Sequence, residues 1–390
     1  MDVDWTQLPP ELVETIAKRQ KIYADYIRLR SVCRTWRYST IKYPDHLPPQ
    51  LPWLMFPQRQ PNPSRRALYN LSSGKFHFLN LPEASHNKRL CGSSHGWLTI
   101  LDDSPTIVLV NPITREKVYL PPVSTFPNVI AFSYSNVGRE YVTVRGLIDR
   151  ERPETVSLRH MRDWFIKKLV LSSSPKRNRF ATMAILHSSE LAYCKQGDQS
   201  WTILETVLGY SEDVVYFNGL FYAVNKFGQT VVCDVSGDSP TVSFLVMTPQ
   251  LGGDLQYLVG SGQELLLVTR YIDVEMDLDD VAEIPEHLGY KTRRFEVFRL
   301  NWRESEWERV RNLGDSMLFI GQNCSLSLQA SDFSGCLGDR IYYTDDYSEN
   351  SCYGERDMGI FKLEDESLET LPSSSRSLDS RPLWVSPNPS

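Results

Sequence analysis

The chain has 390 residues, of which 41% are hydrophobic and 23% charged, with a net charge of -6. That is enough chain and apolar content for a sizeable core in two or three average domains, and the acidic balance provides no general field for nucleic acid. No apolar run approaches the roughly 18 residues of a membrane helix, and the acidic start Met1-Asp2-Val3-Asp4 lacks the basic-then-apolar order of a secretory signal, so cytoplasm and/or nucleus is expected, with no membrane partner.

From Trp5 to Trp36 the pattern is helical. Pro9 and Pro10 suit a first helical turn, where the missing amides have no intrahelical partner. Leu8, Leu12, Val13, Ile16 and Ala17 then form one apolar stripe, which the polar cluster Lys18 to Lys21 ends. Tyr23, Tyr26, Ile27, Leu29, Val32, Cys33 and Trp36 carry apolar groups through two more short helices, stopped by Tyr43 and Pro44. Three short helices cannot bury all these groups among themselves, which implies a partner.

The runs Leu8-Pro9-Pro10-Glu11-Leu12, Ile16, Asp25-Tyr26 and Arg30-Ser31-Val32-Cys33-Arg34-Thr35-Trp36-Arg37 resemble an F-box, the motif that docks a protein on the small Skp adaptor of a cullin ubiquitin ligase. Gln20-Lys21 departs from it where F-boxes often carry a leucine, with Ile22 as its replacement. The resemblance implies that Leu8, Pro9, Leu12, Ile16, Val32, Cys33 and Trp36 bind the adaptor, with Ile27 supporting their packing and Leu12 and Trp36 as anchors. The F-box is expected over residues 1–44.

Residues 45–66 read as a proline-rich linker passing into a strand at Trp53-Leu54-Met55-Phe56. Beyond it come short β-type runs punctuated by Gly, Asn, Asp and Pro. Weak repeats such as Gly96 to Ile100 with Ile107 to Pro112, Val214 to Phe217 with Leu220 to Val224, and Arg340 to Thr344 with Gly359 to Leu363 recur at the length of propeller blades. The expected fold is mainly β with a small α module: a three-helix F-box followed by a β-propeller of about six blades, seven being possible, over residues 67–372. Phe295 to Leu300, Trp307, Leu313-Gly314-Asp315, Leu318 to Gly321 and Ile341 to Asp346 resemble the plant F-box proteins that carry a KIB-type β-propeller, in which the propeller is taken to hold the substrate.

Four other patterns suggest chemistry. Gly92-Ser93-Ser94-His95-Gly96 fits G-x-S-x-G, but a strand pattern follows where a hydrolase needs a helix, so a tight turn is expected and no catalytic residue is assigned. Asp273, Glu275, Asp277 and Asp279 alternate like calcium ligands, yet Leu278 stands where glycine is needed and Ile284 where a glutamate should close the loop, leaving a solvated acidic loop. Asp345-Asp346 reads as a hairpin turn. Seven cysteines without a C-x-x-C pair indicate neither disulfides nor zinc, and no cofactor or metal is expected.

Residues 150–179 carry nine Lys or Arg against three acids. They read as a charged insertion on a propeller loop, as a weak nuclear-import signal at Lys176 to Arg179, or as a substrate contact through Arg159, Arg162, Trp164, Lys167 and Lys168 that suits an acidic or phosphorylated target. The tail, 373–390, has a disordered composition interrupted by Pro382-Leu383-Trp384-Val385, which is expected to dock on the propeller with Trp384 buried. Together these readings give a non-catalytic substrate receptor of a Skp-cullin-F-box ubiquitin ligase, whose partners are a Skp-family adaptor, a cullin through it, and an unidentified protein substrate. The alternative is a scaffold that sequesters a partner without delivering it for degradation.

Overall fold

A computed structural model of the protein describes residues 4–56, 62–145, 149–177, 179–247, 252–275, 289–347, 356–372 and 381–389. A 3₁₀ turn, Trp5–Gln7, leads into helices α1 (Pro10–Lys18), α2 (Tyr23–Arg30) and α3 (Arg34–Tyr38). Pro10 occupies the first helical position, and Cys33 caps α3 by accepting the Trp36 amide on its Sγ at 3.4 Å. Val13, Ala17, Tyr26 and Leu29 form a small buried core, with Leu8, Tyr23 and Trp36 packed at its margin.

The proline-rich stretch after the helices is a strap, and its last part belongs to the β domain. Gln50, buried, accepts the Tyr23 amide on Oε1 at 2.8 Å and donates from Nε2 to the Lys21 carbonyl at 2.9 Å. Leu47 and Leu51 are buried, Leu51 in the same cluster as Leu54, Phe319 and Trp384. The linker expected over 45–66 is corrected accordingly. Trp53–Phe56 is an inner member of a sheet, paired on one side with Arg65–Asn70 and on the other with Leu383–Val385.

The remaining described residues fold into a mainly β propeller of antiparallel sheets joined in sequence. Seven sheets form among them: sheet I (residues 53–80 with 383–385), sheet II (89–120), sheet III (129–156), sheet IV (166–203), sheet V (213–246), sheet VI (255–310) and sheet VII (316–370). Each arises from hairpins whose turns the sequence marks. Between Arg89–Ser94 and Trp97–Leu101, for instance, His95 and Gly96 both take positive φ, 51° and 80°, as a tight hairpin turn requires. Sheet VII departs from four-stranded regularity: it has five strands, and Ser316–Ile320 runs parallel to Arg340–Tyr343.

Six sheets pack in a ring: Leu383–Val385, Arg89–Ser94, Ile166–Leu171, Asp213–Phe217, Leu255–Ser261 and Leu326–Gln329 abut in that order, and sheets VII and I meet through the cluster that holds Leu54, Phe319 and Trp384. Apolar clusters fill the gaps between neighbours, such as Val170, Met183 and Ile185 against Val214, Phe221 and Val231 between sheets IV and V. Sheet III stands beside the ring, with Val129 and Tyr141 buried in the cluster that joins sheets II and IV.

Sheet I takes its strand Leu383–Val385 from the far end of the chain, with Leu54 opposite Trp384. Trp384 is 1% exposed and meets Phe319 edge-on at 5.4 Å, so one ring ties sheet I to sheet VII. Replacing it removes a large buried aromatic where the two ends of the β domain meet. Trp384→Ala is expected to cost about 3–5 kcal/mol in chemical denaturation, whereas Tyr119→Ala, at a ring 66% exposed, should leave the midpoint nearly unchanged. Equal midpoints for the two variants would show that the pairing does not close the domain.

Candidate functional site

The N-terminal helices sort their apolar side chains onto two faces. Val13, Ala17, Tyr26 and Leu29 point into the module and are buried, whereas Leu12 (51% exposed), Ile16 (38%), Ile27 (39%) and Val32 (53%) stand in solvent with Trp5. Pro9 is also exposed, and Leu8, Cys33 and Trp36 are half-buried. Ile27 stands on this outer face with Leu12, Ile16 and Val32. Trp36 has an internal duty, because its Nε1 donates to the Trp5 carbonyl at 3.2 Å and its ring lies against the small core. Arg30 holds the module's end by donating to the Ile41 carbonyl at 2.6 Å and to Thr40 Oγ1 at 3.0 Å.

Within the β domain, polar chemistry is concentrated where sheets converge. Asp213, 1% exposed, accepts four donors: Lys168 Nζ at 2.6 Å and the Val214 amide at 2.8 Å on Oδ1, and the Leu258 amide at 3.0 Å and Ser325 Oγ at 3.3 Å on Oδ2. Those donors belong to sheets IV, V and VI and to the segment 321–325, which leaves sheet VII after Ile320. The same segment reaches sheet II, where the Cys324 amide donates to the Ser93 carbonyl at 2.8 Å, and Gln322 Nε2 donates to the Lys167 carbonyl. Gly321 makes this path possible. Its φ is +139°, and a Cβ there would stand 1.9 Å from Thr344 Oγ1.

A second buried network joins sheets VI and VII around Arg270, whose side chain is fully buried. Its guanidinium donates to Asp346 at 3.0 Å, to Asp357 Oδ2 at 2.9 Å, to the Thr344 carbonyl at 2.9 Å and to Thr292 Oγ1 at 2.8 Å. Burial by itself opposes the charge, but Tyr257, Asp346 and Asp357 outweigh it and hold the Arg270 pKa above the ordinary guanidinium value. Asp345 accepts from the Tyr290 hydroxyl. The reading of Asp345-Asp346 as hairpin-turn residues is therefore corrected: both carboxylates are structural partners inside the β domain.

The basic stretch 150–179 is likewise no loop insertion. It runs through the edge strand Asp149–Val156, helix α4 (Leu158–Trp164) and the strand Ile166–Leu171. Lys168 cannot contact a substrate, because it is 4% exposed and spent on Asp213 and the Gly321 carbonyl. Lys167 reaches the Ser211 carbonyl at 3.0 Å, and Arg162 is held between Asp163, Asp103 and the Asn87 carbonyl. Arg159 remains exposed, 3.8 Å from Asp163, and Trp164 is 36% exposed. Lys176 pairs with Glu116 at 3.1 Å, and Asn178 lies outside the described residues.

Ser94 ends a strand in the hairpin described above and is buried, its Oγ accepting the Leu171 amide at 3.3 Å as a joint between sheets II and IV. Asp273 lies in the long strand Glu264–Glu275, while Asp277 and Asp279 fall outside the described residues. Among the described residues no group of three His, Cys, Asp or Glu could hold a metal.

The chain is thus a β-propeller preceded by a helical module with apolar side chains left in solvent. The KIB1-4 β-propeller family model matches residues 68–362. The chain is 29% identical to the F-box protein SKIP23 of Arabidopsis thaliana over 98% of its length and 96% of that protein's. It is 25% identical to the putative F-box protein At5g55150 (98% and 97% covered) and 26% identical to the F-box protein At2g17036 (98% and 95%), both also of Arabidopsis thaliana. The chain belongs to the plant F-box proteins with a KIB-type β-propeller.

The position of Lys168 gives a test of the convergence point. Lys168→Met leaves the Asp213 carboxylate buried without its counter-charge and should cost about 3–5 kcal/mol in denaturant unfolding. Arg159→Met, at an exposed pair, should cost within about 0.5 kcal/mol. If the two variants unfold at the same denaturant concentration, the Asp213 contacts do not hold the sheets together.

Proposed function

We propose that the protein is the substrate-recognition subunit of a Skp-cullin-F-box ubiquitin ligase, with the helical module as its F-box and the propeller, of six blades with sheet III as an addition at the rim, as the face that carries the target. The observation that carries this reading is the division of apolar side chains in the N-terminal module. Its core is already filled by Val13, Ala17, Tyr26 and Leu29, yet Leu12, Ile16, Ile27 and Val32 remain in water. Burying such a surface is favourable by roughly 25 cal/mol per Å², which a partner supplies and this chain does not.

The mechanism needs no catalytic group in this chain. A receptor that holds a target lysine near a charged ubiquitin-conjugating enzyme raises its effective concentration and makes the encounter intramolecular. The strap formed by Gln50, Leu47 and Leu51 supports this use, because it ties the helices to the propeller and fixes the distance between the two faces.

The test is adaptor capture by the full chain. Leu12→Ala with Val32→Ala truncates two exposed side chains that contribute nothing to the module's own core, unlike Trp36. Anchors of this kind cost about 2 kcal/mol each when truncated, so the pair should weaken Skp-adaptor binding by roughly a thousandfold, with the melting temperature unchanged. Wild-type capture by this double variant would refute the docking face. Adaptor binding without transfer of ubiquitin to any captured protein would favour a sequestering scaffold.

A further inference from the structure

A cavity of about 590 Å³ opens between sheet III, helix α4 and the turn of residues 187–190 in sheet IV. At its floor lie two buried polar side chains, Asn128 (2% exposed) and Glu190 (3%). Asn128 Nδ2 donates to Glu190 Oε2 at 3.3 Å, and Ser188 Oγ donates to the same oxygen at 2.9 Å. Asn128 Oδ1 has no hydrogen-bond partner. Glu154 and Glu205 stand at the exposed rim, and Trp164 and Leu208 form an apolar wall in solvent. The imidazoles of His160 and His187 also line the opening, His187 edge-on to Trp164 at 5.7 Å, and none of the described lining residues is Lys or Arg.

Buried polar groups in folded proteins are nearly always paired, and leaving an acceptor without a donor is costly. Here the unpaired atom is an acceptor, its neighbour is a carboxylate, and Glu205 adds a further carboxylate at the rim. A ligand that suits this set donates several hydrogen bonds and carries positive charge. The flat indole at the wall adds a face that attracts a cation and covers its alkyl stem. The volume falls within the usual range for a small-ligand pocket and accommodates one long side chain with room to spare.

We infer that this cavity is a recognition pocket for a guanidinium or alkylammonium group, its head against Asn128 Oδ1 and Glu190 and its stem along Trp164 and Leu208. The polarity is opposite to that of the acidic target suggested by the basic character of residues 150–179: the cations of that stretch are mostly spent internally, and the opening beside them is acidic. The inference rests on the receptor reading only for the source of the group, which under that reading is a Lys or Arg of the protein target; a free amine is the other source.

Calorimetric titration of the full-length protein tests this with three probes: agmatine, N-acetyl-Gly-Arg-Gly-amide and its Gln counterpart. A cationic probe should bind saturably and the Gln peptide at least tenfold more weakly. The double variant Glu154→Gln, Glu205→Gln and the single variant Trp164→Ala, all at exposed positions, should each weaken the cationic probe severalfold, and Asn128→Leu should abolish its binding. Tighter binding of the Arg peptide than of agmatine supports a protein segment as the source, and the reverse order supports a small amine. Saturation by neither cation below about 10 mM, equal binding of the Gln peptide, or wild-type affinity in the rim variant overturns the proposal. Adaptor capture by the same variants is read separately and should not change, so failure of this pocket is distinguishable from failure of the receptor reading.

Discussion

The β domain depends on one carboxylate. Asp213 gathers a lysine ammonium, two backbone amides and a hydroxyl from four parts of the chain. The apolar clusters between adjacent sheets are each local: they specify which sheet lies beside which, the cluster around Trp384 included. Asp213 and the segment 321–325 act across the ring, with contacts to sheets II, IV, V and VI. A buried ion pair of this kind adds little net stability compared with a well-packed apolar group. Its effect is on uniqueness, since a shift of any one sheet would leave a charge or an amide unpaired in the interior. The close approach is paid for in backbone freedom: Gly92, at φ +151°, has no room for a Cβ, which would lie 2.9 Å from the Leu169 carbonyl.

The helical module follows a different rule. It is too small to bury its apolar residues on itself, and it settles this by committing four of them inward and leaving four or more in water. What keeps it ordered is its attachment to the larger domain, through Gln50 capping the gap between α1 and α2 and through Leu51 entering the cluster of sheets I and VII. The exposed face is therefore presented on a rigid base, the condition under which a docking surface loses least entropy on binding.

Much of this was legible in the sequence, wherever the governing rule is local. The proline pair and the spacing of Leu12, Val13, Ile16 and Ala17 place α1 within one residue of its observed start, and each strand pair quoted from the repeats, such as Val214 to Phe217 with Leu220 to Val224, is a hairpin in the fold. The losses are all non-local. Lys168 reads as one more charge in a basic run because its partner, Asp213, is 45 residues away; the usable sign was its place inside the apolar strand run Ile166 to Leu171. Asp346 reads as a turn residue because Arg270 lies 76 residues upstream. The cavity has no linear signature at all, since Asn128, Glu154, Trp164 and Glu190 come from separate elements.

Pairing Trp53–Phe56 with Leu383–Val385 also sets an order of events for a chain made from its N-terminus. The two strands are about 330 residues apart, so at roughly 5–20 residues per second the ribosome supplies the second on the order of 15–65 s after the first. Through that interval one edge of Trp53–Phe56 has no strand to receive it, and an open apolar edge is the kind of surface that pairs with the wrong chain. The helices and the strap emerge ahead of this edge, so a partner that seats on the module early would meet a nascent chain whose ring is still open. A truncated product lacking its last strand would keep the exposed helical face and lack a closed propeller.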